Sequence, residues 1–200
     1  VNGLEGASSV AVSPDGAHVY TTGAADDGVG TFSRAADGSL TFTEFDSGLA
    51  GAAGVTVSPD GATVYVAAAD ADSVSAFTRN PSTGALTLLD TETDTVGGVD
   101  GLDGAAAVAV SPDGAHVYVA GTADGKVAVF SRAADGSLSF LHAVATSLGG
   151  AAALAFSPDG EHLYVAAQTA DRVVALARDH DPASTDFGRL TSVGAFPSTG

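Results

Sequence analysis

The sequence predicts an all-β protein built from four repeated units, and three observations support this prediction. The tetrapeptide "SPDG" begins at residues 13, 58, 111 and 157, so the spacings are 45, 53 and 46 residues. The segment "FSRAADGSL" occurs twice without change, at 32–40 and 130–138. Each unit also contains four short runs rich in β-branched and aromatic residues, bounded by turn residues. Four antiparallel strands in a unit of about 45 residues are typical of a β-propeller blade.

The third unit shows the strands of a blade most clearly. Its four runs are "AAVAV" at 106–110, "HVYVAG" at 116–121, "KVAVFSR" at 126–132 and "SLSFLHAV" at 137–144. "SPDG" has the composition of a type I turn, because Pro presets φ at the second position, Asp suits the third and Gly the fourth. It therefore predicts a tight hairpin between the first two strands. "AADG" and "PSTG" predict a similar turn between the third and fourth strands.

The repeat favours a propeller over a β-sandwich, since a sandwich has no reason to repeat its sequence every four strands. We expect a single β-propeller domain or fragment over residues 1–200. Its predicted blades cover 1–48, 49–95, 96–146 and 147–200.

Four blades form either a half-ring of a larger or dimeric propeller or a small closed ring. A half-ring would expose the flat apolar faces of its first and last blades, and exposed faces of that kind drive association. We therefore expect a head-to-tail dimer, which would be an eight-bladed ring, or the equivalent contact with native blades missing from this chain, rather than a closed four-bladed monomer.

The charge balance excludes several classes of partner. Asp and Glu number 24 against 7 Lys and Arg, which gives a formal net charge of −17. Nucleic acid and anionic membrane surfaces are poor partners for such a chain, because phosphate binding needs a basic patch. The chain has no Cys and no apolar run long enough to predict membrane insertion. The segment "VNGLEGASSV" has no signal-peptide pattern, so we interpret the chain as a processed or excised piece, expected at the cell surface or outside the cell.

Two residue types recur at fixed places in the repeat. We expect the four Arg to be structural and to pair with a carboxylate such as the "SPDG" Asp of the same or the next blade. His18, His116 and His162 all follow "SPDG", so three different blades hold them and they are not expected to share a metal ion. His142 and His180 have no partner at ligand spacing. The repeated Arg are Arg34, Arg79, Arg132 and Arg178.

Two acidic loops are candidate cation-binding segments, although we favour the interpretation of each as a solvated acidic loop. Asp94, Asp100 and Asp103 lie in "TETDTVGGVDGLDG" at 91–104, where Gly residues would allow oxygen ligands to surround Ca²⁺. The second loop, "RDHDPASTDFG" at 178–188, contains Asp179, Asp181 and Asp186.

The pattern "GLDGAAAVAVSPDGAHVYVAGTADGKVAVFSRAADGSLSF" resembles the YVTN-type, lactonase-like β-propeller repeat, and the resemblance covers nearly the whole chain. That family includes lactonases and a muconate-cycloisomerising branch. Similar enzymes carry Gly-Pro-Arg-His before Phe-Ser-Pro-Asp-Gly and a Glu four residues after the next motif Tyr, at the mouth of the central channel. In the fourth unit these positions hold Ala152, Ala153 and Gln168.

The resemblance therefore implies that the polar groups of the family are missing here, and no catalytic, cofactor-binding or metal-binding residue is predicted. Our expected function is a non-catalytic scaffold or interaction module, part of a larger secreted or cell-surface protein. One alternative is a lactonase-like hydrolase or isomerase whose active site lies in blades absent from these 200 residues. A second alternative is a module that binds Ca²⁺ or a glycan through the acidic loops.

Overall fold

A computed structural model describes residues 4–145 and 150–197, and all regular structure in these segments is β-strand. Sixteen strands form four antiparallel sheets, and each sheet contains the four strands of one repeat in chain order. The predicted fold class, an all-β propeller of four-stranded blades, is confirmed. We call the sheets blade 1 to blade 4.

The strands have closely similar lengths in every blade. Blade 1 comprises β1 (Ala7–Val12), β2 (His18–Gly23), β3 (Gly28–Arg34) and β4 (Leu40–Ser47). Blade 2 comprises β5 (Ala52–Val57), β6 (Thr63–Ala68), β7 (Ser73–Arg79) and β8 (Leu86–Thr93). Blade 3 comprises β9 (Ala105–Val110), β10 (His116–Gly121), β11 (Lys126–Arg132) and β12 (Leu138–Ala145). Blade 4 comprises β13 (Ala151–Phe156), β14 (His162–Ala167), β15 (Arg172–Arg178) and β16 (Leu190–Pro197).

The "SPDG" segment folds as a hydrogen-bonded turn between the first two strands. In blade 1 the Gly16 N–H donates to the Ser13 carbonyl over 2.8 Å, and Gly16 has a φ of +68°, which Gly adopts at no steric cost. The Asp15 carboxylate accepts hydrogen bonds from the Ser13 hydroxyl and from the Ala17 N–H through the same oxygen, Oδ1. The second carboxylate oxygen is therefore available to a neighbouring blade.

Consecutive blades pack face to face and enclose three apolar cores. The core between blades 1 and 2 contains Val29, Val55 and Phe77, which are all buried. The core between blades 2 and 3 contains Val119 and Phe130. The core between blades 3 and 4 contains Val129, Leu163, Val165 and Leu176. Blades 1 to 4 therefore stack in chain order, with β1 against β5, β5 against β9 and β9 against β13.

A polar network, which we call the joint, crosses each of these three interfaces at the "SPDG" turn. At the first joint Arg79 of blade 2 donates from Nη2 to Asp15 Oδ2 over 2.7 Å and from Nε to the Tyr20 hydroxyl over 2.9 Å. The Tyr20 hydroxyl in turn donates to the Gly84 carbonyl over 2.9 Å. Arg79 and Tyr20 are buried and their polar groups bond within the joint, whereas the Asp15 side chain is 43% exposed.

The same joint occurs twice more. Arg132 bonds Asp60 and the Tyr65 hydroxyl, which donates to the Gly136 carbonyl. The third joint has the same contacts with residues of blades 3 and 4, namely Arg178, Asp113, Tyr118 and Gly188. The predicted pairing of the repeated Arg with an "SPDG" Asp therefore holds for Arg79, Arg132 and Arg178 but not for Arg34, whose hydrogen bond is to the Gly16 carbonyl. The predicted partner blade is wrong, because the Asp belongs to the preceding blade and not to the same or the next one.

Some expectations are not decided by this structure. The predicted boundary between the third and fourth blades, at residues 146 and 147, lies outside the described residues. Whether 1–200 is a single domain or a fragment stays a prediction. Over the described parts of the chain, no helix qualifies as a membrane span.

Candidate functional site

The innermost strands of all four blades surround a central cavity of about 420 Å³. Its wall is formed by Ser8 and Ser9 of β1, residues 53–56 of β5, residues 106–109 of β9 and residues 152–154 of β13. Each of these strands is the edge strand of its sheet and pairs on one side only. The cavity therefore lies where backbone polar groups of four strand edges meet, at the centre of the stacked blades.

The described wall of the cavity is polar but uncharged. Most side chains there are Ala, Gly or Val, and hydroxyl groups come from Ser8, Ser9 and Thr56. The Ser8 hydroxyl donates to the Ala53 carbonyl over 2.9 Å, and the Ser9 hydroxyl accepts from the Val55 N–H over 3.3 Å. None of the described residues that line this cavity is titratable. Such a wall contains hydroxyl and backbone polar groups, but it supplies neither a general acid nor a general base.

The structure separates the three positions that the family resemblance singled out. Ala152 and Ala153 both line the cavity and are exposed to it. Gln168 is exposed after the end of β14 and is not among the residues that line the cavity. Its backbone N–H donates to the Gly150 carbonyl over 2.8 Å.

The repeated His lie at the joints and not at the cavity. His18 and His116 are buried, and their Nδ1 atoms lie 2.8 Å and 3.2 Å from Nη2 of Arg79 and Arg178. Burial lowers the pKa of both His, and the adjacent guanidinium lowers it further. The neutral imidazole therefore accepts a hydrogen bond from Arg. The sequence predicted a structural position for these His but not their contact with Arg.

The remaining His show no shared site. His162 is half-buried on blade 4, and His180 lies 3.8 Å from Glu161 on the surface. His142 has an Nε2 atom without a hydrogen-bond partner, and burial lowers the pKa of this His. His142 lies in a cleft of about 280 Å³ together with Phe187 and Arg189.

The first acidic loop gathers only two of its three predicted Asp. Asp94, Asp100 and Asp124 bring carboxylate oxygens within 4.8 Å of one another, whereas Asp103 is not part of this group. Lys126 already supplies a cation here, since its Nζ lies 2.6 Å from Asp100 and 3.9 Å from Asp124. The single charge of Lys126 therefore offsets only part of the charge of these three Asp.

The second acidic loop uses its carboxylates to shape its own backbone. Asp179 accepts hydrogen bonds from the Asp181 N–H and from the Ser184 hydroxyl. Asp181 accepts from the Ala183 N–H, and Asp186 pairs with Arg189 at 3.1 Å. The three Asp do not form a common cluster within the described residues. A different group, Asp159, Glu161 and His162, has ligand atoms within 4.8 Å of one another on blade 4, and sequence reasoning missed it. It lies on the face of blade 4 that points away from blade 3; we call this face, and the corresponding outer face of blade 1, an open face, and we call the three joints between described blades closed joints.

Asp46 is a second feature that the sequence did not predict. Burial, with a smaller contribution from the Glu44 charge, raises the pKa of Asp46 to about 6, and its Oδ2 atom is buried without a hydrogen-bond partner. Asp46 lies in a cleft of about 360 Å³ that Ser75 and Thr91 also line. Its burial depends on blade 2 packing against β4, which the sequence around Asp46 does not reveal.

Comparison with known proteins gives the family. The model of the family described as lactonase, 7-bladed β-propeller matches residues 1–100 and 91–196. No curated protein matches the sequence. Among solved structures, the periplasmic gluconolactonase PpgL of Pseudomonas aeruginosa is 27% identical with a TM-score of 0.77, and the match covers 94% of this chain and 53% of PpgL.

Two further solved structures share the fold at lower identity. A candidate 6-phosphogluconolactonase of Bacteroides uniformis is 23% identical with a TM-score of 0.81, over 96% of this chain and 55% of that protein. Sqt1 of Saccharomyces cerevisiae is 13% identical with a TM-score of 0.72, over 98% of this chain and 49% of Sqt1. The chain thus spans about half the length of the solved structures that it matches.

These comparisons correct the expected function. The expectation of a non-catalytic scaffold or interaction module is wrong, because the matching family is a lactonase family and the similar structures include a gluconolactonase. The lactonase-like alternative is the better supported one. The chain belongs to the lactonase family of seven-bladed β-propellers.

Proposed function

We propose that this protein is a lactonase-like hydrolase that opens an uncharged sugar lactone, and that the central cavity of these four blades forms part of its substrate-binding wall. The family match over residues 1–196 carries this proposal. The 27% identity to a gluconolactonase supports it, since that relative acts on a lactone and resembles this chain in sequence as well as in fold.

The chemistry of the cavity explains which part of the reaction these blades perform. Hydrolysis of a cyclic ester needs a group that activates water and donors that stabilise the oxyanion. The uncharged wall around Ser8, Ser9 and Thr56 offers hydroxyl and backbone groups that hydrogen-bond a polyol. The groups that activate water are then contributed by blades outside these four, facing the same channel.

The absence of charge on this wall selects among lactones. Binding a phosphate group calls for Arg or Lys, and the described residues that line the cavity include neither. The formal net charge of −17 repels an anionic substrate as well. An unphosphorylated aldonolactone is therefore the substrate class that fits, in preference to a phosphorylated one.

The test is hydrolysis of glucono-1,5-lactone by the natural gene product, measured as proton release above the spontaneous rate. We expect turnover, and we expect kcat/KM for the 6-phosphorylated lactone to be lower by about tenfold or more, which corresponds to about 1.4 kcal/mol. The 200-residue chain alone should remain at the spontaneous rate. A natural gene product that hydrolyses neither lactone would overturn the proposal.

A matched pair of variants places the reaction in the cavity. Ala153→Phe fills part of the cavity, whereas Ala36→Phe changes another exposed Ala, in the turn between β3 and β4. We expect Ala153→Phe to raise KM or abolish turnover and Ala36→Phe to leave it unchanged. Equal activity of the two variants would show that the substrate binds elsewhere.

A further inference from the structure

Blades 1 and 2 form a cleft of about 360 Å³ between their outer strands. Blade 1 and the linker after it contribute Asp46 of β4 and Leu49, and β7 and β8 of blade 2 contribute the opposite wall. That wall carries two apolar and four hydroxyl side chains, namely Phe77, Leu88, Ser73, Ser75, Thr91 and Thr93. Both walls belong to blades that pack against each other, so this cleft needs no further blade, and its size is that of a small-molecule site.

The Asp46 carboxylate is the feature of this cleft that calls for a ligand. Its Oδ2 atom is buried and has no hydrogen-bond partner among the described residues. Glu44 on the same strand adds a second negative charge nearby, and none of the described residues that line the cleft is Lys, Arg or His. A buried carboxylate without a cation or a hydrogen-bond donor is unfavourable. A ligand that supplies both would remove this penalty.

The equivalent position in blade 3 shows that the fold does not require an acid here. Asp46 pairs with Val29 across β3 and β4, and the same pairing in blade 3 joins Val127 to Val144. Val144 is partly buried and packs against the core between blades 3 and 4. An apolar side chain therefore serves the packing of this position, and the acid of blade 1 needs another explanation.

The hydroxyl wall is specific to blade 2. Ser75 and Thr91 are paired across β7 and β8, and their hydroxyl oxygens lie 3.0 Å apart. The other three described blades have no hydroxyl at either position. Their equivalent pairs are Gly30 with Phe45, Ala128 with Ala143, and Val174 with Ala195. The hydroxyl pair thus occurs only where blade 2 faces the unpartnered acid of blade 1.

The next interface shows the equivalent space filled by protein. Blade 2 has an acid, Glu92, at the position of Asp46, but the linker that follows it is long and covers residues 94–104. The Cβ position of Gly101 in that linker lies 3.1 Å from the Ala143 Cβ and 3.5 Å from the Ala128 Cβ. The linker between blades 1 and 2 covers only residues 48–51. The cleft therefore remains open where the wall is polar and is occupied where the wall is Ala.

We propose that the cleft between blades 1 and 2 binds a primary ammonium group carried on an unbranched aliphatic stem. An ammonium group has three donors and no acceptor, so it matches the acceptor oxygens of Asp46, Ser75 and Thr91. The apolar side chains of Phe77 and Leu88 in the same wall suit the stem. The formal net charge of −17 favours a cation over an anion. This site is separate from the central cavity, and the inference does not rest on the proposed function.

The test is calorimetric titration of the natural gene product with n-pentylammonium chloride at a pH of about 7.5, where Asp46 is ionised and the amine is protonated. The ionic strength is held constant with NaCl, so that general attraction to an acidic protein does not change. We expect saturable binding of one equivalent with a Kd of about 1 mM. Pentan-1-ol has the same stem without the charge and should bind at least about tenfold more weakly.

A second probe, Nα-acetyl-lysine methylamide, represents the side chain of a partner protein. Saturable binding of either amine supports the proposal, and the tighter of the two identifies a free amine or a lysine side chain as the source. The proposal fails if neither amine shows saturable binding up to about 20 mM, or if pentan-1-ol binds as tightly as the amines.

Variants of the acid place the binding in the cleft. Asp46→Asn removes the charge, and Asp46→Val introduces the residue that blade 3 has at this position, so the second variant tests binding in a chain that packs as blade 3 does. Each should weaken binding of the amine at least about tenfold. Asp37→Asn removes an exposed charge in the turn between β3 and β4 and should bind as the wild type does. Wild-type affinity in both Asp46 variants, or an equal loss in Asp37→Asn, would contradict the site.

Discussion

Tyr118 and Tyr164 occupy the same position of the repeat in blades 3 and 4, yet their environments are opposite. Tyr118 is completely buried, donates to the Gly188 carbonyl over 2.8 Å and accepts from Arg178, and burial raises its pKa to about 12. Tyr164 is 41% exposed and has none of these contacts among the described residues. The contacts of a motif residue therefore depend on the neighbouring blade. The same residue is buried and hydrogen-bonded at a closed joint and exposed at an open face.

The largest difference between a closed joint and an open face should appear at the repeated Arg. Arg178→Met keeps the aliphatic stem but removes the Arg donor to Asp113 Oδ2 and to the buried Tyr118 hydroxyl. We expect a loss of about 2–3 kcal/mol in the free energy of unfolding, below the full cost of breaking a buried pair because the Asp113 side chain is 38% exposed.

Arg34→Met is the matched change at an open face, where the side chain makes a single hydrogen bond. We expect it to alter the free energy of unfolding by no more than about 0.5 kcal/mol. The free energies of unfolding of both variants are to be measured by urea denaturation, at concentrations where the chain is monomeric. If the two variants lose equal stability, the joint is not the source of the difference.

The Tyr hydroxyl should show the same contrast with a smaller effect. Tyr65→Phe removes a donor to the Gly136 carbonyl and an acceptor for Arg132, and we expect a loss of about 1–2 kcal/mol. Tyr164→Phe should be neutral within about 0.5 kcal/mol in the monomer. Chemical denaturation measures both, and a substantial loss in Tyr164→Phe would contradict the assignment of this face as open.

Much of this fold was predictable from the sequence because it is encoded locally. The first strand of blade 3 was predicted at 106–110 and is observed at Ala105–Val110, since alternating apolar residues and "SPDG" turns fix strand and hairpin without distant partners. The joint was predictable only in part. An Asp–Arg pairing was predictable from repeated opposite charges, but which blade supplies the Asp depends on how one sheet stacks on the next.

The candidate site was predictable only in part. Ala152 and Ala153 were placed by resemblance at the channel, and the structure puts them in the cavity wall. Gln168, placed by the same resemblance, is not in that wall. The contact between His18 and Arg79 spans 61 residues, and the burial of Asp46 depends on blade 2. No local pattern indicates either of them, because both arise from packing between blades.

The closed joints also differ from one another at one position, which separates the contribution of His from that of the rest of the joint. His18 and His116 stand beside Arg in the first and third joints, whereas the second joint has Thr63, whose hydroxyl lies 3.2 Å from Arg132 Nη2. Burial and the Arg charge lower the pKa of both His below 6.5, despite the opposing Asp113 charge at His116.

This difference predicts that the free energy of unfolding depends on pH through the His of the joints, and that exchanging His and Thr between joints changes this dependence. A lowered pKa means that the unfolded chain binds more protons than the folded one, so the His contribution is complete above pH about 6.5 and is lost as the pH falls through that value. His116→Thr should flatten the decline in the free energy of unfolding between pH 7 and 5, and Thr63→His should steepen it. Each variant is compared with the wild type at every pH, because the raised pKa of Asp46 gives the opposite slope in the same range. Unchanged slopes in both variants would remove the His contribution.

The smallest effect should be that of salt, and it distinguishes the joints from the rest of the surface. The 24 acidic residues outnumber the 7 basic ones, so NaCl should raise the melting temperature by screening repulsion, by about 2 °C from 0.05 to 1 M. The Arg side chains of the three closed joints are only 1–7% exposed, but their Asp partners are 38–50% exposed, so salt screens these ion pairs in part. The stability lost in Arg178→Met should therefore shrink only in part at 1 M NaCl, because the buried hydrogen bond to Tyr118 remains, while the melting temperature of the wild type rises. Chloride is used because sulfate stabilises folded proteins by exclusion from their surface. A wild-type melting temperature that is flat or falls with NaCl would show that the acidic excess does not destabilise the fold. A loss in Arg178→Met that disappears at 1 M NaCl would show that the joint contributes only a screened ion pair and not the buried hydrogen bond to Tyr118.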